Sequence, residues 1–366
     1  MATDALTLAL PGPDGQVRAV RLTNPDKPVW PAAGDAGAVT KGDLARYFVD
    51  VAEPFLRAVG DRPTTLQRFR GGVEGEEFYS KNPPKGTPEW IRTTQCIYPS
   101  GRRHPQLVID EIAAAVWAVQ MSTITFHPWP VRADDNDLVD ELRIDLDPQP
   151  GRGYADAVEA AHLLRELLAE LGLTAWAKTS GHRGVHVYSR IERTHEFIDV
   201  RHAVIGIARE LERRVPDLVT TAWWKEERGE RVFVDFNQAN RDRTIASAYS
   251  PRPRPGAPVS FPLAWGDLGA AKPTDFTVRT APGVVAERGD AWAGMDDAVG
   301  RIDKALSLWQ ADLDRGLGEL NFPPDYPKMP GEPPRVQPSK KNPDNWDGDQ
   351  PKDPAQPVRR PRGSRT

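Results

Sequence analysis

Apolar and polar positions alternate over residues 6–10 and again over 16–22, with Pro-Gly-Pro-Asp-Gly between them. A period of two on both sides of a turn signal predicts a hairpin. Across residues 40–59 (TKGDLARYFVDVAEPFLRAV) apolar residues recur every three or four positions, which predicts one amphipathic helix with Thr40 as its cap. Residues 78–98 are rich in Pro and Lys and read as a loop flanked by short strands. Residues 111–121 (EIAAAVWAVQM) are apolar on nearly every side and predict a buried helix. A short strand over 124–126 then leads into His127.

From residue 141 the alternation becomes regular. It predicts a strand over 141–147, a helix over 154–171 stopped by Gly172, and strands over 174–178 and 185–191 joined by a Ser-Gly-His-Arg-Gly turn. A second helix is predicted over about 197–214, before Pro216, then a hairpin of strands 218–224 and 231–236. The order βαββαβ is that of a ferredoxin-like or RNA-recognition-type sheet with both helices on one face, an α+β fold in which the first strand is central. Residues 288–318 predict one or two further helices. Residues 321–366, dominated by Pro, Lys, Asp, Gly and Arg, predict a largely disordered tail, too polar to offset its ordering entropy. The expected division is one module over 1–320 (a lobe at about 1–135, a second at about 136–290, helices at 291–320), then the tail.

Composition narrows the function. The net charge of −4 over 366 residues excludes a bulk polycation, so any nucleic-acid contact must come from a local basic surface. One cysteine, Cys96, excludes a disulfide framework and makes the cytosol the default. The N-terminal stretch lacks a basic start and its apolar run is broken by Pro11, so it does not read as a signal peptide. No apolar run approaches the ~18 residues of a membrane span.

Candidate chemistry begins at 142–148, LRIDLDP. Residues i and i+2 of a strand share a face, so Asp145 and Asp147 stand side by side. Like charges so placed repel unless a cation intervenes. Asp235 lies on a strand that can neighbour theirs. Hard oxygen ligands select Mg²⁺ or Mn²⁺. Two such ions ~4 Å apart can activate a 3′-hydroxyl and stabilise a leaving pyrophosphate. An Asp-x-Asp pair alone also serves glycosyltransferases and phosphatases, or simply sits at an exposed strand end. The turn Ser180-Gly-His-Arg183-Gly is a second candidate. Its two glycines let backbone N–H groups approach an anion, and Ser180, Arg183 and the histidines add donors. An ordinary hairpin turn uses the same residue types. The Arg-rich run 241–254 is a third, because guanidinium binds phosphate bidentately.

In chain order these motifs, LRIDLDP, TSGHRGVHVY and RVFVDFNQ, together with LTNPDKPVWP, GDRPTTLQRF, FYSKNPPKGTPEW and TIASAYSPR, resemble the archaeo-eukaryotic primase superfamily, and most closely the polymerase module of bacterial ligase D. The likeness covers about residues 17–310. No ligase or nuclease segment accompanies it in this sequence, as in stand-alone actinobacterial relatives. The resemblance implies a primase-polymerase fold and a template-dependent nucleotidyltransferase that extends primers at short gaps or DNA ends, accepting dNTPs or, preferentially, rNTPs, in DNA repair. A non-catalytic DNA-end or gap-binding module that kept the fold is the alternative. A nuclease or sugar-nucleotide transferase is a further reading.

Residue by residue, the resemblance implies Asp145, Asp147 and Asp235 as ligands of two Mn²⁺ or Mg²⁺ ions. It implies Ser180, Arg183, His186, His127 and Arg252 at the incoming nucleotide, Gln238 near the primer terminus or sugar, and one of Phe78 and Tyr79 stacked under the base. Lys27 and Lys41 are implied at a DNA 5′-phosphate, and Arg228 aligns with a functional arginine. Where the ligase D module carries a lysine near the triphosphate, this chain has Gln67, with Arg68 next to it as the candidate replacement. Implied partners are gapped or broken duplex DNA with a 5′-phosphate, NTP or dNTP, and beyond these a separate DNA ligase and Ku, in the bacterial cytoplasm at the nucleoid and away from any membrane.

Overall fold

A computed structural model describes residues 5–33, 37–323 and 326–333, and the backbone of two short strands at Trp346–Asp347 and Gln350–Pro351. Most of the predicted tail lies outside the described residues. Its first part packs on the body: Phe322 is buried, and Glu332 accepts the backbone N–H groups of Phe322 and Met329.

The N-terminal hairpin pairs β1 (Leu6–Pro11) with β2 (Val17–Leu22). Two helices follow, α1 (Lys41–Asp50) and α2 (Ala52–Val59), where one was expected. The break falls at Val51, whose backbone leaves the helical region (φ −107°, ψ 23°). Pro54 then sits in the first turn of α2, where its missing N–H costs least. Thr40 caps α1 in a reciprocal box, accepting from the Asp43 N–H at 3.1 Å while Asp43 accepts the Thr40 N–H at 2.9 Å.

The first sheet is built from β3 (Pro63–Arg70), β4 (Glu76–Ser80), β5 (Thr93–Ile97) and β6 (Arg103–Val108), in the order β4-β3-β6-β5. The apolar helix α3 (Ile112–Gln120) is buried as its pattern requires, and leads to β7 (Thr123–Pro128), which pairs with β3.

The second sheet contains β8 (Leu138–Pro148), β9 (Trp176–Thr179), β10 (Val185–Glu196), β11 (Val219–Thr220), β12 (Val232–Asp235) and β13 (Pro262–Leu263). Its order is β11-β12-β8-β10-β9-β13, so β8 is central and the late strand β12 lies beside it, as the topology predicts. Helices α4 (Tyr154–Glu170) and α5 (Phe197–Arg214) cover one face. Alternation in β8 sends Leu142, Ile144 and Leu146 into that core, each fully buried. Glu141, Arg143, Asp145 and Asp147 therefore look the other way, toward the first lobe. The expected hairpin over 218–236 does not form. Residues Lys225–Arg228 make a helical turn instead, and β11 runs parallel to β12. A helical connection permits a parallel return that a tight turn cannot make. Near the C-terminus, α6 (Ala281–Arg288) precedes α7 (Asp303–Asp314), which packs on α5.

The lobes are joined by a buried ionic cluster. Arg62 of the first lobe binds Asp140 at 2.6 Å and Glu141 at 2.8 Å. Arg190 reaches the same two carboxylates at 3.1 and 2.8 Å, Arg132 joins Asp140 at 2.6 Å, and Arg143 joins Glu141 at 2.5 Å. Each buried charge has opposite-charge partners, which is the condition for tolerating burial. The cluster holds the two lobes together beside Asp145, on the same face of β8.

Candidate active site in the cleft between the lobes

Strand register assembles the acidic face. Asp145 lies directly opposite Asp235 on β12 and directly opposite His186 on β10. Residues opposite each other in an antiparallel pair point to the same side, so all three side chains enter the cleft with Asp147. Asp235 and Asp147 each have a local donor, and Asp145 has an imidazole beside it. Asp235 accepts from Gln238 Nε2 at 2.7 Å and from the Asn237 N–H at 2.9 Å. Asp147 Oδ2 lies 3.3 Å from Gln149 Nε2, and Asp145 Oδ1 lies 3.4 Å from His186 Nε2. So tied, the carboxylates share a face without closing on a common point. Among the described residues no three His, Cys, Asp or Glu side chains form a ready-made ligand set. The electrostatic strain is nevertheless plain. Burial, then Asp235, then Asp147 push the Asp145 carboxyl from 3.8 up to about 8. Burial also raises Asp235.

The Ser180–Gly184 turn closes beside these acids. The Ser180 N–H donates to the Gly184 carbonyl at 3.0 Å, and Ser180 Oγ accepts the N–H groups of Gly184 and His182 at 3.1 and 3.2 Å. Gly181 is required twice over. Its φ is +76°, and a Cβ there would stand 2.5 Å from Arg252 Cγ. The turn thus lies against the Arg252 side chain. Burial pulls the Arg252 guanidinium below its usual range, while Tyr79 and Asp145 pull it back up. Arg183 is exposed at the turn's outer edge, its Nη2 3.5 Å from the Pro148 carbonyl.

The first lobe supplies the opposite wall. Tyr79 is 52% exposed and stands edge-on to His127, 5.7 Å between ring centres. His127 is buried, and burial with the nearby Arg252 and Lys178 charges drives it down to about 3, so it is neutral. Its Nε2 lies 3.2 Å from Gln67 Oε1, and Gln67 Nε2 donates to Glu77 at 2.7 Å. Phe78 points to the other face, under Arg68 at 4.7 Å. Of the aromatic pair, Tyr79 is the ring in the cleft.

The structure does not bring Arg68 to this site, contrary to the expectation that it replaces a lysine. Gln67 and Arg68 are neighbours on β3 and point to opposite faces. Arg68 donates to the Met121 carbonyl at 2.7 Å and to Ser80 Oγ at 2.9 Å, away from His127 and Arg252.

Arg228 packs 3.5 Å over the Phe233 ring, anchored by the carbonyls of Ala222 and Trp223. Asp235 and Asp147 raise its charge's stability against burial, which lowers it. Lys27 and Lys41 line one small cavity with Phe69, Gly72, Ser122 and Thr123. Lys41 donates to the Thr23 carbonyl at 2.8 Å. Burial and then the neighbouring Lys27 charge push it down.

Sequence reasoning passed over Lys178. It lies directly opposite His186 on β9, wholly buried, 2.6 Å from His186 Nδ1. It also passed over Arg143 and Glu77. The signal for Lys178 was present, since two strands closed by a tight turn fix which residues face each other.

Comparison with known proteins places the fold. Residues 40–292 match the family described as "LigD, primase-polymerase domain". The chain is 30% identical over 315 residues to the multifunctional non-homologous end joining protein LigD of Mycolicibacterium smegmatis, covering 84% of this chain and 40% of that protein. It is 32% identical over 261 residues to the corresponding Mycobacterium tuberculosis protein, covering 68% and 33%. It therefore spans well under half the length of these curated relatives. A solved structure, the polymerase domain from Mycobacterium tuberculosis ligase D in complex with DNA, superposes with a TM-score of 0.71 at 29% identity, covering 76% of this chain and 98% of that one. The mixed fold, the acidic strand face and the match over 40–292 lead to one conclusion: the chain belongs to the LigD primase-polymerase domain family.

Proposed function

We propose that this protein is a template-dependent nucleotidyltransferase that extends a primer at a short gap or broken DNA end, with rNTPs preferred over dNTPs, in bacterial DNA repair. The observation that carries this reading is the meeting of Asp145, Asp147 and Asp235 with the Ser180–Gly184 turn and Arg252 in one cleft. Three carboxylates on one face, one of them pushed up to about 8 by the others and by burial, are a donor set that fits hard divalent cations, Mn²⁺ or Mg²⁺. Bound there, such ions supply charge neutralisation at phosphate and acidify a hydroxyl.

The remaining roles belong to the chain. The Ser180 hydroxyl and the backbone of the turn receive phosphate oxygens, with Arg183 and Arg252 supplying charge. Tyr79 stacks on the base, and its edge-on contact with neutral His127 orients it. His186 directs an imidazole nitrogen at Asp145 and at the nucleotide beside it. Gln238 holds Asp235 and lies at the primer terminus. Arg228 stabilises the outer acids. Lys27 and Lys41, which line one cavity, hold the 5′-phosphate across the gap. The partners are then gapped or broken duplex DNA with a 5′-phosphate, NTPs, and a separate ligase and Ku, in the bacterial cytoplasm. Among the described residues no helix is long and apolar enough to cross a membrane.

One observation favours the alternative of a non-catalytic gap-binding module. Where the ligase D module carries a lysine, Gln67 is committed to Glu77 and His127, which leaves an acid on the nucleotide side. A primer-extension assay decides. Templated extension of a gapped, 5′-phosphorylated duplex with Mn²⁺, lost in Asp145→Ala/Asp147→Ala, supports the polymerase. Binding of that duplex with no extension supports the module.

A further inference from the structure

We infer that the C-terminal segment, residues 319–323 and 326–333, is a working part of the active site, and that Arg201 is the positioning residue that ties it to the turn behind Asp235. Arg201 stands on α5 and is 0% exposed. One arm of its fork addresses the site: Nη1 donates to Asn237 Oδ1 at 3.1 Å. The other addresses the C-terminal segment: Nη2 donates to the Leu320 and Asn321 carbonyls at 2.9 and 3.1 Å and to Glu319 Oε1 at 3.2 Å. The guanidinium carbon lies 4.0 Å from the centre of the Phe322 ring and 5.2 Å from that of Phe236. A planar fork of five donors can join acceptors from two segments at once and still stack on rings; a lysine ammonium cannot.

Asn237 Oδ1 also accepts from Asn240 Nδ2 at 2.9 Å. Two donors converge on that one oxygen, so the amide has a single orientation. The Asn237 N–H in turn donates to Asp235 Oδ1 at 2.9 Å, and Gln238 Nε2 donates to Asp235 Oδ2 at 2.7 Å. Both oxygens of Asp235 are therefore held by consecutive residues of one short turn, Phe236–Ala239. A 3₁₀ turn of four residues has weak hydrogen bonds of its own and takes its position from what packs on it. Here that is Arg201, with the C-terminal segment behind it. A second tie runs the same way, since the Tyr326 hydroxyl donates to the Arg241 carbonyl. Phe322 is 3% exposed and its N–H is accepted by Glu332 at 3.0 Å, which anchors the segment itself. A segment that only covered apolar surface would need no polar contact with residues 237 and 241. The family match ends at residue 292, so this support lies past the matched residues.

The kinetic consequence rests on the polymerase reading; the coupling itself does not. Two measurements on the full chain separate them. The variants are Phe322→Leu with Tyr326→Phe, which loosens the C-terminal segment, and Arg201→Lys, which keeps the charge and loses the fork. Hydrogen exchange without metal is read by mass spectrometry on peptides spanning 236–243 and, as the control, 140–147. Exchange in 236–243 is expected to rise roughly 5-fold or more in both variants, as the loss of a hydrogen bond allows, with 140–147 unchanged. In primer extension with Mn²⁺, kcat should fall about 10-fold, the low end of the cost of losing an outer partner of a ligating side chain. KM for the nucleotide should hold, because Tyr79 and the Ser180–Gly184 turn are untouched. Exchange that rises equally in both peptides overturns the positioning role and leaves ordinary loss of stability. Unchanged exchange in 236–243, or local loosening with unchanged kcat, overturns it too. Arg201→Lys with the parent's exchange and kcat overturns the assignment to Arg201. If the double variant does not fold, Tyr326→Phe alone removes one hydroxyl and gives the same two readouts. If the unmodified chain extends no primer, the polymerase reading fails and the exchange result still decides the coupling.

Discussion

The Asp145 carboxyl offers a test of the site that needs no turnover. It is displaced from 3.8 to about 8. At about 1.4 kcal/mol per pH unit, that displacement sets a ceiling of about 6 kcal/mol on the cost of ionising it in the folded chain. The carboxylate is still 23% exposed toward the cleft, so water screens it. A working magnitude is about 2 kcal/mol, taking an effective dielectric nearer that of a protein surface than of a dry interior. The sign follows from the raised value. Protonated Asp145 stabilises the metal-free fold; that contribution is whole below pH 3.8, declines as pH rises, and is gone above about 8. Asp145→Asn keeps the shape and removes the charge. In chelator at about pH 8.5 the variant is expected to be more stable than the parent chain by about 2 kcal/mol, a rise of roughly 3–6 °C in Tm for a chain of this size. The gap should narrow as pH falls and close only near pH 3.8, where the carboxyl is protonated in both folded and unfolded chains. Adding Mn²⁺ should raise the parent's Tm at the higher pH and leave the variant nearly unmoved, because ligand binding stabilises only the form that binds. The assay is thermal denaturation of both chains, with and without Mn²⁺, at both pH values. A variant less stable than the parent in chelator, with the full Mn²⁺ response retained, would refute the claim that these three carboxylates repel one another and await a cation.

Three further outcomes are expected. Tyr79→Ala should raise KM for the nucleotide about 5- to 100-fold, from a stacking contribution of ~1–3 kcal/mol, and leave Tm within a degree or so, since the ring is half exposed; steady-state extension kinetics check this. Gly181→Ala places a Cβ 2.5 Å from Arg252 Cγ at a φ of +76°, and should weaken nucleotide binding at least ~10-fold while costing about 1 kcal/mol of stability in urea titration. Lys27→Ala with Lys41→Ala should abolish discrimination between gapped duplexes with and without a 5′-phosphate and flatten the salt dependence of binding by about two phosphate contacts, measured by fluorescence anisotropy across a salt series.

The parts of the site that local period decides were legible, and those that long-range pairing decides were not. Alternation in LRIDLDP puts Asp145 and Asp147 on one face, whatever the rest of the chain does. The same rule separates Gln67 from Arg68, so the expectation that Arg68 replaces a lysine failed on information already in the sequence: neighbours on a strand cannot both reach the cleft. The Lys178–His186 pair was equally readable. The Ser180 N–H to Gly184 carbonyl bond closes the turn, and stepping back two residues on each side brings 178 opposite 186. By contrast, Asp235 meets Asp145 only because β12 inserts beside a strand about ninety residues earlier, and no local pattern fixes that register. The parallel pairing of β11 with β12 was hidden for a related reason. Residues Lys225–Arg228 coil into a short helix that turns the chain's direction, and four residues carry too little periodicity to announce it. The buried cluster of Arg62, Asp140, Glu141, Arg143 and Arg190 is the extreme case. Each residue alone reads as surface, and each is buried because its partners come from elsewhere in the chain. That cluster sits one and two residue pairs behind Asp145 on the same face of β8, so the charge fixing the two lobes and the charge facing the nucleotide belong to one alternating row. A strand that must present Asp145 to a cleft also presents Glu141 and Arg143 to the opposing lobe, where Arg62 and Arg190 make the burial of Glu141 tolerable, and Glu141 with the Pro128 and Trp129 carbonyls does the same for Arg143.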